Sequence, residues 1–222
     1  MTKHREGKHP LDTLQEIRSL MERSSRFISL SGLSGVTAGL FALAGAGIAC
    51  WYLGIRPFDG QRFYYDIVPD SGKVQHLTFF ILDALFVLCG ALAGGIYFTT
   101  RKARQKDLPI WDALTRRLLL NLAIPLLAGA VFILAMLYHG LVVFVAPATL
   151  LFYGLGLVNA SKYTLNDIRY LGLTEIALGL FGVFIPGYGL ELWMLGFGLL
   201  HIVYGAAMYF KYESGRAEKS VP

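Results

Sequence analysis

This sequence has little charge and almost no cysteine. Only 16% of its 222 residues are Asp, Glu, Lys or Arg, while 55% are hydrophobic, which excludes an ordinary water-soluble domain. Cys50 and Cys89 are its two cysteines, too few for a multi-disulfide framework. They fall at depths about 10 Å apart along consecutive apolar runs, beyond disulfide reach, and are expected as packed thiols. Catalytic signatures are missing too: there is no HExxH, no glycine loop leading into GK, no CxxC pair and no serine elbow. No enzyme, cofactor or metal is expected. Asp59, Asp66 and Asp70 lack the dense alternation of a calcium loop, and one lone histidine such as His201 is more often a hydrogen-bonded packing residue than a haem ligand.

Long apolar runs are what the chain has in quantity. A hydrocarbon core about 30 Å thick needs about 17–25 residues at 1.5 Å each. Six runs reach that length: 27–55, 77–100, 118–138, 141–159, 170–186 and 192–210. The expected fold is all-α, a polytopic six-helix transmembrane bundle over 27–210. Only His139 and Gly140 separate the third and fourth runs, so a merged or re-entrant pair is the alternative at that point.

Basic residues set the orientation. Seventeen of the twenty Lys and Arg fall in 1–26, 101–117, 159–169 and the tail, which places both termini in the cytoplasm. The net charge of +5 follows from this asymmetry beside anionic lipid and gives no reason to expect nucleic acid. Residues 1–26 are read as a cytoplasmic segment bearing an amphipathic interfacial helix, with Leu11, Leu14, Ile17 and Met21 at helical spacing and a Thr13/Glu16 capping box. Residues 211–222 form a cytoplasmic tail. With 26 polar residues before the first run, no signal peptide is expected. The long outer loop carries Phe58, Phe63, Tyr64 and Tyr65, expected as an interfacial belt.

Small residues recur where helices have to approach. Ser31, Gly35 and Gly39 lie four apart in the first run, and Gly90 and Gly94 share a stripe with Asp83 in the second. Residues 32–43, GLSGVTAGLFAL, align without gaps with 172–183, GLTEIALGLFGV, and AGGIYF at 93–98 parallels GAAMYF at 205–210. Both copies begin on the same side, so the bundle is read as parallel hairpin repeats. Pro125 and Pro147 interrupt runs three and four, and each releases a carbonyl that a neighbour has to satisfy.

The last hairpin, with glycines every three or four residues, then FIPGYG, then LGFGLLHIVYG, resembles the repeated hairpin of the HdeD-like acid-resistance membrane proteins. That resemblance implies a bacterial cytoplasmic (inner) membrane location and a role in stress tolerance, with no catalytic residues to carry over.

Polar residues inside these runs are the functional candidates. Glu175 and His201 each lie thirteen residues from Tyr188 at the hairpin tip, so antiparallel helices bring them to one depth near the midplane, with Tyr204 close by. A lone carboxylate there costs several kcal/mol, so a facing pair is expected, either a clamp on hairpin register or a proton-titrating pair. Asp83 lies about 10 Å below the outer edge, with Asn121 or Tyr138 as candidate partners. The primary expectation is a non-catalytic, stress-associated or regulatory membrane component. The alternatives are a small proton-linked permease or channel lined by Glu175, His201 and Asp83, and a scaffold subunit of a membrane complex. The expected partners are the bilayer and either a second copy or a membrane complex.

Overall fold

Ser31 starts the first helix: its extended backbone and its hydroxyl, accepting from the N–H of Leu33, make it the N-cap of α1 (Gly32–Leu53). The computed structural model describes residues 30–57 and 73–214. Within them follow α2 (Lys73–Gln105), α3 (Ala113–Tyr138), α4 (Val145–Ala160), α5 (Asn166–Phe184) and α6 (Gly189–Tyr212), with no strand among the described residues. Helices α1, α2, α3 and α6, and α4 together with its flanking 3₁₀ turns as Val142–Tyr163, are long and apolar enough to cross a membrane; α5 is not among them. That helix has 19 residues and carries Asp167, Arg169 and Glu175. The amphipathic helix of 1–26, the loop aromatics, Asp59, Asp66 and Asp70, and the tail past Ser214 lie outside the described residues.

Runs three and four form separate helices, so the merged alternative is not adopted. Helix α3 stops at Tyr138, and Gly140 takes φ +74°, a conformation that a Cβ disfavours. A 3₁₀ turn, Val142–Phe144, then leads into α4, which packs back on α3. Pro147 therefore falls in the first turn of α4, where its missing N–H breaks no mid-helix bond, and it does not interrupt the span. Pro125 does sit inside α3. By lacking an N–H it leaves the Asn121 carbonyl, four residues back, without its helical donor, and Asn159 Nδ2 of α4 donates to that oxygen at 2.8 Å.

Two glycine seams hold the bundle. On the first, α1 meets α6: a Cβ on Gly32 would overlap Gly205 O and Tyr209 N, and one on Gly39 would overlap Gly198 O. On the second, α4 meets α5, with Gly154 against Gly172 O and Gly179 against Leu151 N and Pro147 O. Backbones this close gain van der Waals contact where lipid offers no hydrophobic drive. The glycines shared by the aligned segments, Gly32/Gly172 and Gly39/Gly179, thus each meet backbone, the first of each pair on α6 and the second on α4.

The outer helices are different. Helix α2 packs on α1 and helix α3 on α4, leaving each with one principal neighbour. None of the apolar stretch of α2 and 6% of that of α3 is buried, against 33% in the spans containing α1, α4 and α6, so α2 and α3 form the apolar flanks. Gly90 and Gly94 lie on the covered stripe of α2, against Phe41 and Thr37 of α1. Cys50 is buried, but Cys89 is exposed, contrary to the expected packed thiol, because a helix with one neighbour covers only one face. Gly35 and Gly39 pack as expected. Ser31, also buried, caps α1 and bonds to Glu213 just past α6.

Candidate functional site

A polar triad, buried at Glu175 and His201 and half-buried at Tyr153, joins α4, α5 and α6. Each helix contributes one side chain: Tyr153, Glu175 and His201 in that order. The depth they share follows from the turns. Glu175 and His201 are equidistant from Tyr188, and Glu175 and Tyr153 are each eleven residues from Thr164, between α4 and α5.

His201 is fixed at both nitrogens. It follows directly on a π-helical stretch, Met194–Leu200, whose widened turn brings Gly196 O to 2.9 Å from the histidine's own Nδ1. Tyr153 Oη lies 2.8 Å from Nε2 on the other side. A carbonyl can only accept, so Nδ1 carries the proton and donates to Gly196 O. In the neutral ring Nε2 is then the acceptor and the Tyr153 hydroxyl donates to it; in the imidazolium Nε2 donates to the Tyr153 oxygen instead. Phe197 stacks on the imidazole at 5.9 Å between centroids and lies 4.9 Å from the Tyr153 ring, completing an aromatic wall. With both nitrogens engaged, neither is left for a metal.

Glu175 is fully buried, and neither carboxyl oxygen has a hydrogen-bond partner. Its Oε1 is 3.5 Å from His201 Nδ1, at the edge of an ion contact. Leu150, also fully buried, and Gly196 close over it: a Cβ on Gly196 would overlap Glu175 Oε2 and Leu150 Cδ2. The glycine makes room for the carboxyl. The pair admits two forms without net charge, a carboxylic acid beside neutral imidazole and a carboxylate beside imidazolium.

The other candidates are not gathered here. Tyr204 is half-buried and makes no hydrogen bond among the described residues; Tyr153 occupies the place expected for it. Asp83 lies on the separate α1/α2 seam, half-buried, with its carboxyl over Gly45. Neither expected partner reaches it. Asn121 bonds to the Arg117 carbonyl, and Tyr138 is largely exposed at the end of α3. Among the described residues no three His, Cys, Asp or Glu side chains converge as a metal site.

Two further polar contacts, absent from the sequence reading, tie the end of the bundle where basic residues collect. The Glu213 carboxylate accepts from Gly32 N at 2.7 Å and Ser31 Oγ at 3.1 Å, and pairs with the buried Lys102 at 3.2 Å, joining α1, α2 and the chain just past α6. Nearby, Asp167 at the start of α5 accepts from Tyr212 at 2.6 Å and Lys211 at 3.1 Å. Burial alone would raise the Asp167 carboxyl, but those donated bonds and the lysine charge outweigh it and hold the group below its ordinary value. At the start of α3, Thr115 N–H and Oγ1 donate to the capping Asp112, which is likewise held low.

These features define an all-helical membrane protein with a polar triad inside its helix core. Compared with protein-family models, curated proteins and solved structures, the chain matches none.

Proposed function

We propose that this chain is a non-catalytic integral membrane component of the bacterial inner membrane, in which the Tyr153–His201 contact of the triad locks α4 to α6 in register and Glu175 of α5 is enclosed beside it. The observation that carries the reading is the closure around Glu175. A carboxyl with no exposed surface, capped by Leu150 and Gly196, has no route along which an ion would be handed on. Tyr153 and His201 satisfy one another across α4 and α6, as polar groups that fasten membrane helices do. The resemblance to HdeD-like proteins supplies the physiological side, tolerance of acid or related stress.

Proton flux into proteoliposomes tests this. The parent and Glu175→Gln are both expected to match protein-free vesicles; flux in the parent that the substitution abolishes would overturn the fastener.

A second reading, a small proton-linked permease, has one observation in its favour. Both Glu175 oxygens lack a hydrogen-bond partner, and an intramembrane ionisable group without a partner is a functional candidate. The same measurement separates the two. The third, a scaffold subunit or homo-oligomer, draws on the exposed apolar faces of α2 and α3.

A further inference from the structure

Pro125 does more than release a carbonyl. It lines a groove of about 380 Å³ between α3 and α4, together with Phe152, Leu155, Val158, Asn159 and Lys162. From Phe152 to Lys162 the groove runs about 15 Å along the helix, the thickness of one hydrocarbon leaflet. Its walls are apolar until the end, where a cation stands. Asn159 organises that end: Nδ2 holds the Asn121 carbonyl orphaned by Pro125, and Oδ1 accepts from Lys162 Nζ at 3.3 Å. Asn121 in turn donates to the Arg117 carbonyl, which puts exposed Arg117 one helical turn beyond, on the α3 side of the same end.

A second groove of the same volume gives the contrast. It is lined by Thr174, Ala177, Leu178, Phe181, Leu195 and Leu200, with no charged residue. Equal room without a cation leaves it open to any acyl chain.

We propose that the α3/α4 groove binds an anionic phospholipid, one acyl chain lying along Pro125, Phe152, Leu155 and Val158 and the headgroup phosphate meeting Lys162 and Arg117. A chain laid in the groove covers apolar surface over one leaflet's depth, and the phosphate supplies a counter-charge to the lysine and arginine. Basic pockets between helices at a membrane surface select anionic headgroups for this reason.

The test places a reporter in each groove. Full-length Leu155→Trp and Phe181→Trp are reconstituted in phosphatidylcholine vesicles containing equal fractions of either brominated phosphatidylglycerol or brominated phosphatidylcholine, and the quenching from Trp51, Trp111 and Trp193 is subtracted using the parent. Quenching at Leu155→Trp is expected to favour the anionic lipid roughly fivefold per engaged cation. It should favour neither at Phe181→Trp. Adding Lys162→Gln is expected to remove most of the preference and Arg117→Gln the rest, with Lys162→Arg retaining it as the control for folding. Equal quenching by both lipids at Leu155→Trp, an equal preference at Phe181→Trp, or a preference indifferent to Lys162→Gln would overturn the site. Inorganic phosphate added at constant ionic strength is expected to displace nothing; displacement by it would overturn the lipid assignment.

Discussion

Tyr153 and Glu175 occupy one triad but are expected to respond oppositely to substitution. Tyr153→Phe deletes the donor to His201 Nε2 and leaves a buried acceptor unpaired, a loss of about 1–2 kcal/mol. Glu175→Leu removes a carboxyl that receives no hydrogen bond, while His201 keeps Gly196 and Tyr153. Thermal unfolding in detergent should show it within ~1 kcal/mol of the parent, or more stable; a drop of ~3–5 kcal/mol would mean that a true ion pair had been broken. Depth counting from Tyr188 brought Glu175 and His201 together. The same counting from Thr164 would have found Tyr153, but a tyrosine in an apolar run raises no question of charge and drew none. Proximity in sequence favours Tyr204, but the π-helical turn directs the His201 ring to Tyr153 instead.

Helices here are held by backbone approach and by repair of the backbone. Asn159→Leu should cost about 1–2 kcal/mol where Pro125 leaves the Asn121 carbonyl open, and much less in a Pro125→Ala background, where the helical donor returns. A double-mutant cycle by thermal unfolding reads that coupling. Glycines divide in the same measurement. Gly205→Val would drive a branched side chain into Val36 N and Gly32 O and is expected to lose at least about 1–3 kcal/mol. Gly95 faces open space, so Gly95→Ala should be neutral or gain up to ~1 kcal/mol. Sequence spacing alone shows both as small residues in a helix. Which of them touches a neighbour depends on how the helix is rotated, and hydrophobicity cannot report this when every face is apolar.

At the scale of the molecule, the basic end is fastened by Asp167 with Lys211 and Tyr212, and by Glu213 with Lys102 and Ser31. The folded Asp167 carboxyl lies below its ordinary value of 3.8, so its stabilisation is complete above that value and is lost as pH falls through the lower folded one. Parent and Asp167→Asn are therefore expected to differ in thermal unfolding near neutral pH and to converge in acid. A constant difference across the titration would show that the contact does not act through charge. Neither fastener was legible beforehand, because Glu213 and Lys211 lie in what reads as a solvated tail.

Apolar length and the placement of Lys and Arg were enough to determine the helices and the end at which basic residues gather, since those depend only on one-dimensional partition between hydrocarbon and water. Counting along antiparallel helices also set which polar groups share a depth. Lateral order was decided only by the tertiary structure: α1 beside α6, α4 beside α5, and α2 and α3 at the flanks. In lipid one apolar face is worth as much as another, so neighbours are chosen by backbone contacts at glycine and by single hydrogen bonds such as Asn159 to Asn121, whose partners lie far apart in the chain.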